Sequence, residues 1–150
     1  MDAEPSIERR IAVALFASVR GVGAEIRRAG ASAQLTVPQF AILRLLAGGD
    51  LPVGDVARGL RVAMPTVTQT TDSLAGKGLI ERYSDERDRR QVRLRITAEG
   101  RRLLQHCEAS IERYLAVALA RWPVGRKREL ADALEEMGAR CAPAPAGREG

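Results

Sequence analysis

Between residues 51 and 100 two short amphipathic helical stripes run directly into a strand pattern, an order that few folds accommodate. Val53, Val56, Ala57 and Leu60 fall on one helical face, and Val67, Thr70, Thr71 and Leu74 on a second. The tight break between them is helix-turn-helix spacing. Gly78 follows Lys77 where the second helix would stop, and residues 79–83 have the length and composition of a short strand. After a polar turn, Val92, Leu94 and Ile96 alternate with Arg93, Arg95 and Thr97, which buries one side of a strand and leaves two arginines on the wet side.

A hairpin directly behind a helix-turn-helix is a wing, and its tip, residues 84–91, reads SDERDRRQ. Arg87, Arg89 and Arg90 crowd this loop, with Arg82, Arg93 and Arg95 on the flanking strands. Guanidinium groups at such density are costly to pack against protein and well suited to phosphates and the minor groove. Asp88, two residues before Arg90, has the spacing to hold a guanidinium in one orientation. Taken alone, the loop also fits a solvated polar turn; its place after the helix-turn-helix favours DNA.

Pro65 and Thr66 open the second helix, and Thr66, Thr68, Gln69 and Ser73 lie on the side away from its core face. Gln can pair bidentately with adenine, while threonine hydroxyls reach phosphates or bases and their methyls touch thymine. Ala63 offers the helix start no side-chain acceptor.

Four segments in one order resemble the MarR family of bacterial transcriptional regulators: LTVPQFAIL at residues 35–43, TVTQTTDSL followed by KGLIER within 66–82, DERDRR at 85–90, and LRITAEG at 94–100. The resemblance covers the middle of the chain by motif and both ends by helical pattern. It implies that the second helix enters the major groove, with Thr66, Thr68 and Gln69 facing it, and that Asp88 and Arg90 form the Asp-x-Arg wing pair in the adjacent minor groove. Gln69 stands where relatives are frequently basic, which predicts less reading of guanine there and shifts electrostatic attraction onto the wing.

The rest of the chain supplies helices. Ile7, Ile11, Leu15, Val19, Val22 and Ile26 form a stripe with Ser6 as N-cap, and Gly21 and Gly23 predict a bend or a close approach. Thr36 caps a second helix with Pro38 in its first turn; Phe40, Leu43 and Leu45 or Leu46 turn inward until Gly48 and Gly49 stop it. Thr97 caps a long helix, with Gly100 where a capping box would need Glu or Gln, and its stripe from Leu103 to Leu119 runs on to Arg121. Pro123 breaks it, a short last helix carries Leu130, Ala133, Leu134 and Met137, and the tail CAPAPAGREG reads as disordered.

The expected fold is therefore mainly α (α+β): a winged helix-turn-helix at residues 36–97, an N-terminal dimerisation helix at 1–35, C-terminal dimerisation helices at 98–140 and a tail at 141–150. The terminal stripes carry more apolar surface than the winged unit can cover. Interlocking them across a two-fold axis gives a homodimer presenting two recognition helices to double-stranded DNA; a monomer with a folded-back helical cap is the alternative.

A chain of 150 residues suits one domain, and its net charge of +5 favours an anionic partner. All but Lys77 and Lys127 of its basic residues are arginine. No apolar run approaches a membrane span, and the polar N-terminus is not a signal peptide, so the expected location is the cytoplasm. Cys107, Cys141 and His106 match no zinc or nucleophile–base pattern, and no phosphate loop is present, so neither an enzyme, a metal nor a cofactor is expected. The family resemblance implies a small aromatic or lipophilic acid as effector. Ala14, Ala17, Ser18 and Gly21 could line its cavity or serve close helix packing. The expected function is a sequence-specific, ligand-responsive homodimeric repressor; a nonspecific architectural DNA-binding protein and a cysteine-based redox sensor are the alternatives.

Overall fold

The computed structural model describes residues 5–85, 88 and 90–141. Helix α1 spans Ile7–Ala29, with Ser6 Oγ accepting the Arg9 N–H at 3.3 Å. After a 3₁₀ turn at Ala31–Ala33, helix α2 runs Val37–Ala47. Its cap is a full capping box: Thr36 Oγ1 accepts from the Gln39 N–H, and Gln39 Oε1 accepts from the Thr36 N–H. Strand β1 (Leu51–Pro52), α3 (Val53–Leu60), α4 (Met64–Gly76), β2 (Ile80–Ser84) and β3 (Val92–Ile96) complete the winged unit, and α5 (Ala98–Ala118) and α6 (Val124–Cys141) follow.

The sheet is antiparallel in the order β1-β3-β2, with Tyr83 opposite Arg93 and Leu51 opposite Leu94. The expected hairpin thus gains a third strand, which at two residues is too short to show a period in sequence. Leu94 and Ile96 are buried as expected, but Val92 is 38 % exposed because it lies at the loop end of the hairpin, past the helices that cover the sheet. The core gathers Ile42, Leu43 and Leu46 from α2, Val56 from α3, Val67 and Leu74 from α4, and Leu104 from α5. Leu46, rather than the half-buried Leu45, is the inward residue of the α2 pair.

The start of α5 is fixed against the sheet. Thr97 Oγ1 accepts the Gly100 N–H at 3.0 Å and donates to the Gly78 carbonyl at 2.8 Å, while the Thr97 N–H donates to the Leu79 carbonyl. The absence of a capping box is explained by backbone contact: at Gly100 a Cβ would stand 2.2 Å from the Leu79 oxygen.

Helix α1 packs its C-terminal half on α5. Gly21 admits the Tyr114 side chain, whose hydroxyl lies 2.3 Å from where a Cβ would be, so this small residue serves close packing. Nearby, the buried Ser110 donates to Glu25 at 2.6 Å and accepts from Arg28 at 3.0 Å, and Arg28 pairs with Glu25. The Arg28 guanidinium and then the Ser110 hydroxyl pull the Glu25 carboxyl from its usual 4.5 down to about 2. A depressed carboxyl stabilises the fold fully above its unfolded value, and that contribution is lost as pH falls from about 4.5 to about 2. The urea midpoint of the wild type is therefore expected to exceed that of Glu25→Gln at neutral pH and to converge with it by pH 2. A gap that stays constant across the range would remove this linkage.

The other half of α1 is unpartnered: Ile7, Ile11, Val13, Phe16 and Val19 are all exposed. So are Tyr114, Leu115 and Val117 on α5, and no residue of α6 is buried. The α5 stripe ends at Ala118, short of the expected Arg121. Helix α6 is longer than expected, taking in Cys141 from the segment assigned to the tail. The remainder of that tail and residues 1–4 lie outside the described residues.

Candidate nucleic-acid interface

The turn between α3 and α4 is closed by the Arg61 and Val62 N–H groups, which bond to the Arg58 and Ala57 carbonyls, with Arg61 left-handed at φ 54°. Helix α4 then starts at Ala63 without a side-chain cap, as its sequence implied, and carries Pro65 in its first turn. Val67, Thr71 and Leu74 face the core. Thr70 and Thr71 donate their hydroxyls to the carbonyls of Thr66 and Thr68, satisfying these groups within the helix.

On the opposite side Pro65, Thr66 and Gln69 are exposed and Thr68 is half-buried. Ser73 is exposed but engaged: its Oγ accepts from Gln39 Nε2 at 3.0 Å. Gln39 Oε1 in turn accepts from Lys77 Nζ at 2.9 Å, so one buried amide ties the capping box of α2 to the length of α4. A Thr-x-x-Gln spacing was the readable signal for the box; nothing in the sequence pointed to the link with Ser73.

At the wing tip Asp88 Oδ1 accepts the backbone N–H of Arg90 at 3.0 Å, and the Asp88 carbonyl accepts the Gln91 N–H at 2.9 Å. This corrects the expectation that Asp88 orients the Arg90 guanidinium. At a separation of two residues the carboxylate meets the backbone first, as an Asx turn, and it shapes the loop rather than the side chain. Arg87 and Arg89 lie outside the described residues.

Arg90 lines a groove of about 370 Å³ between α3, α4 and the hairpin. Thr68 and Met64 of α4, Arg58 of α3, and Arg82 of β2 line the same groove. Residues from the second helix and from the wing, apart in sequence, thus share one concavity. Thr66, Gln69 and Pro65 sit on the exposed face of α4 outside its lining.

The strand arginines are held by carboxylates, and of Arg93 and Arg95, expected on the wet side, Arg95 is exposed and Arg93 half-buried. Arg82 pairs with Asp72 of α4. Arg93 reaches Asp85 at 3.3 Å and the Asp50 carbonyl at 2.8 Å. Arg95 meets the Asp50 carboxylate at 2.7 Å and lies over the Tyr83 ring, 4.7 Å from its centroid. Tyr83 donates its hydroxyl to the same carboxylate at 2.7 Å. The Arg95 guanidinium and then the Tyr83 hydroxyl hold the Asp50 carboxyl below its ordinary value. Arg90 is exposed and has no carboxylate partner among the described residues.

A second concavity, about 400 Å³, lies between α2 and α5 and is lined by Phe40, Arg44, Glu108, Ile111 and Glu112. Cys107 is fully buried, and burial pushes its thiol up, which lowers the thiolate fraction an oxidant would need; Cys141 is exposed. Among the described residues no cluster of His, Cys, Asp and Glu could hold a metal ion, and no helix is long and apolar enough to cross a membrane.

Residues 35–92 match the MarR family profile. The chain is 32% identical to the HTH-type transcriptional regulator YsmB of Bacillus subtilis over 103 residues, 65% of this chain and 70% of that protein. Among solved structures it is similar to MarR, with a TM-score of 0.74 and 25% identity over 87% of this chain and 98% of that one. It is also similar to NadR in complex with 4-hydroxyphenylacetate, with a TM-score of 0.69 and 25% identity over 91% and 95% of the two chains. A helix-turn-helix flanked by a wing, an exposed arginine at the tip and relatives that regulate transcription agree: the chain belongs to the MarR family of winged helix-turn-helix, DNA-binding transcriptional regulators.

Proposed function

We propose that this chain is a homodimeric, ligand-responsive repressor of the cytoplasm that reads a pseudo-palindromic operator, with α4 in the major groove and the wing in the adjacent minor groove. The observation that carries this reading is the shared concavity of α4 and the wing, lined by both Thr68 and Arg90, the latter with no carboxylate partner among the described residues. Pro65, Thr66, Thr68 and Gln69 present the reading face, Gln39 of α2 braces it through Ser73, and Asp88, with Arg87, Arg89 and Arg90, belongs to the wing that meets the minor groove. Two such units related by a two-fold axis address half-sites about one helical turn (~10 bp) apart.

The effector is a small aromatic or lipophilic acid. Between α2 and α5, Phe40 supplies a ring and Arg44 a guanidinium, although Glu108 already pairs with the latter. An acid seated there acts by binding one dimer geometry more tightly than the other.

Selection of duplexes from a random library by the purified chain tests the whole reading. Enrichment of a two-fold symmetric sequence is expected, and retention of sequence-independent DNA alone would leave only an architectural role. On the selected duplex, Arg90→Ala is expected to cost about 1–3 kcal/mol, and Gln69→Ala to relax preference at one base pair per half-site. Equal responses of the selected and scrambled duplexes to Gln69→Ala would remove its reading role. Release of the duplex by none of a panel of phenols and lipophilic acids would remove the effector assignment.

A further inference from the structure

The wing carries Arg90, yet little regular structure fixes its hairpin to the rest of the fold. Strand β1 contributes two residues to the sheet, and one of them, Pro52, has no N–H to donate. The chain enters that seam through Gly48 and Gly49, the latter at φ 142°, so the local backbone does not dictate where Asp50 sits. Its position is set by side chains. The Asp50 carboxylate accepts from Tyr83 on β2 and from Arg95 on β3, and its carbonyl accepts from Arg93. Arg93 continues to Asp85, whose N–H bonds to the Gln91 carbonyl across the base of the tip loop. A chain of polar contacts therefore runs from the end of α2 to the loop that holds Arg90. Leu94 and Ile96 lie on the core side of β3, whereas Arg93, Arg95 and Tyr83 meet Asp50 on the other. Asp50 is thus an outer fastening of the hairpin, separate from its core.

The same carboxylate holds a cation. Arg95 pairs with it, whereas Arg93 is held by the Asp50 carbonyl and the Asp85 carboxylate, so without the Asp50 carboxylate it is Arg95 that would turn to solvent. Free guanidinium groups on the wing would attract phosphates of any sequence, because backbone contacts carry affinity without sequence information.

Resting on the DNA reading above, we propose that Asp50 is a positioning residue for specificity: it aims the wing at the groove beside α4 and withholds Arg95 from nonspecific phosphate contact. Asp50→Ala should then weaken binding to the selected operator and strengthen binding to a scrambled duplex of the same composition.

The test measures dissociation constants of the full chain for the library-selected duplex and its scrambled counterpart across a salt series, with dimethyl sulfate footprints of the selected duplex that read guanine N7 in the major groove and adenine N3 in the minor groove. In Asp50→Ala the ratio of the two affinities is expected to fall about tenfold, the loss of one charge-assisted contact. The salt slope on the scrambled duplex should steepen by about 1, for a newly freed cation. Minor-groove protection at the wing should fade while major-groove protection by α4 persists, an asymmetry that a general loss of stability would not produce. An unchanged ratio, or both protections lost together in a folded protein, overturns the inference. Should Asp50→Ala not fold, Tyr83→Phe removes one of the fastening bonds and leaves the core untouched; a smaller fall in the ratio supports the inference and an unchanged ratio overturns it. Failure of the wild type to enrich any sequence sinks the DNA reading and this inference with it. Enrichment with an Asp50-independent ratio sinks the inference alone.

Discussion

Phe16→Glu is expected to convert the protein from a species of about twice its 16.3 kDa chain mass to a monomer, and to lower affinity for a two-half-site duplex by about 10²–10⁴-fold. The side chain is 73% exposed on α1, so a charge there has no core to disturb within one subunit. It would, however, enter the face on which Ile7, Ile11, Val13 and Val19 are also bare. Burying such side chains stabilises association by roughly 1.5–3 kcal/mol each when coverage is complete. That is enough to offset the entropic cost of association once several are covered, and an unpaired carboxylate among them reverses the balance. The loss in DNA affinity follows because one subunit holds one half-site, and the second contact is gained only when the partner is tethered to the first. Sedimentation at micromolar concentration and anisotropy on a full-site and a half-site duplex check both parts. Half-site affinity should be unchanged. A variant that sediments as the wild type would place the interface elsewhere, and a wild type that sediments as a monomer would end the dimer reading.

The winged unit was legible because its information is local. The stripes of Val53, Val56 and Ala57 and of Val67, Thr71 and Leu74 each repeat at a helical period, and Leu94 and Ile96 at a strand period, so burial on one face follows from spacing. Thr36, Thr97 and Ser6 were readable as caps for the same reason, since a cap bonds within three residues. What was not legible depends on separation in sequence. Asp50 sits 33 residues from Tyr83 and 45 from Arg95, and no pattern around any of them announces the others. Alternation places Arg93 and Arg95 on the side away from the core, where Arg95 is indeed exposed, but it fixes only the side of the strand and not the carboxylates from other elements that meet them there. Asp88 was misread for the opposite reason. Its partner was close, but a side-chain acceptor two residues before an amide meets that amide before it meets the guanidinium beyond it.

Gly100→Ala is expected to destabilise the fold by about 2–3 kcal/mol, the range for forcing an atom into a packed site together with loss of a backbone hydrogen bond. The sequence showed this glycine only as a missing partner for Thr97; the structure supplies the steric reason. The added methyl would stand 2.2 Å from the Leu79 carbonyl oxygen and 2.9 Å from Ile96 Cγ1. Ile96 can turn aside, but the Leu79 oxygen is main chain and accepts the Thr97 N–H at 3.1 Å, so it cannot retreat without releasing the cap of α5. Because α5 joins the winged unit to the terminal helices, a shift at its first turn would also displace the recognition helices of a dimer relative to each other. Thermal unfolding should therefore fall by roughly 5–10 °C for a chain of this size, and operator affinity should drop even where the variant remains folded. Gly138→Ala is the control: it lies within α6 with nothing inside 4 Å of the new methyl, and alanine there is expected to stabilise by about 0.5–1 kcal/mol through helix propensity. Equal shifts in the two variants would show that the close approach of Leu79 to Gly100 does not govern the effect.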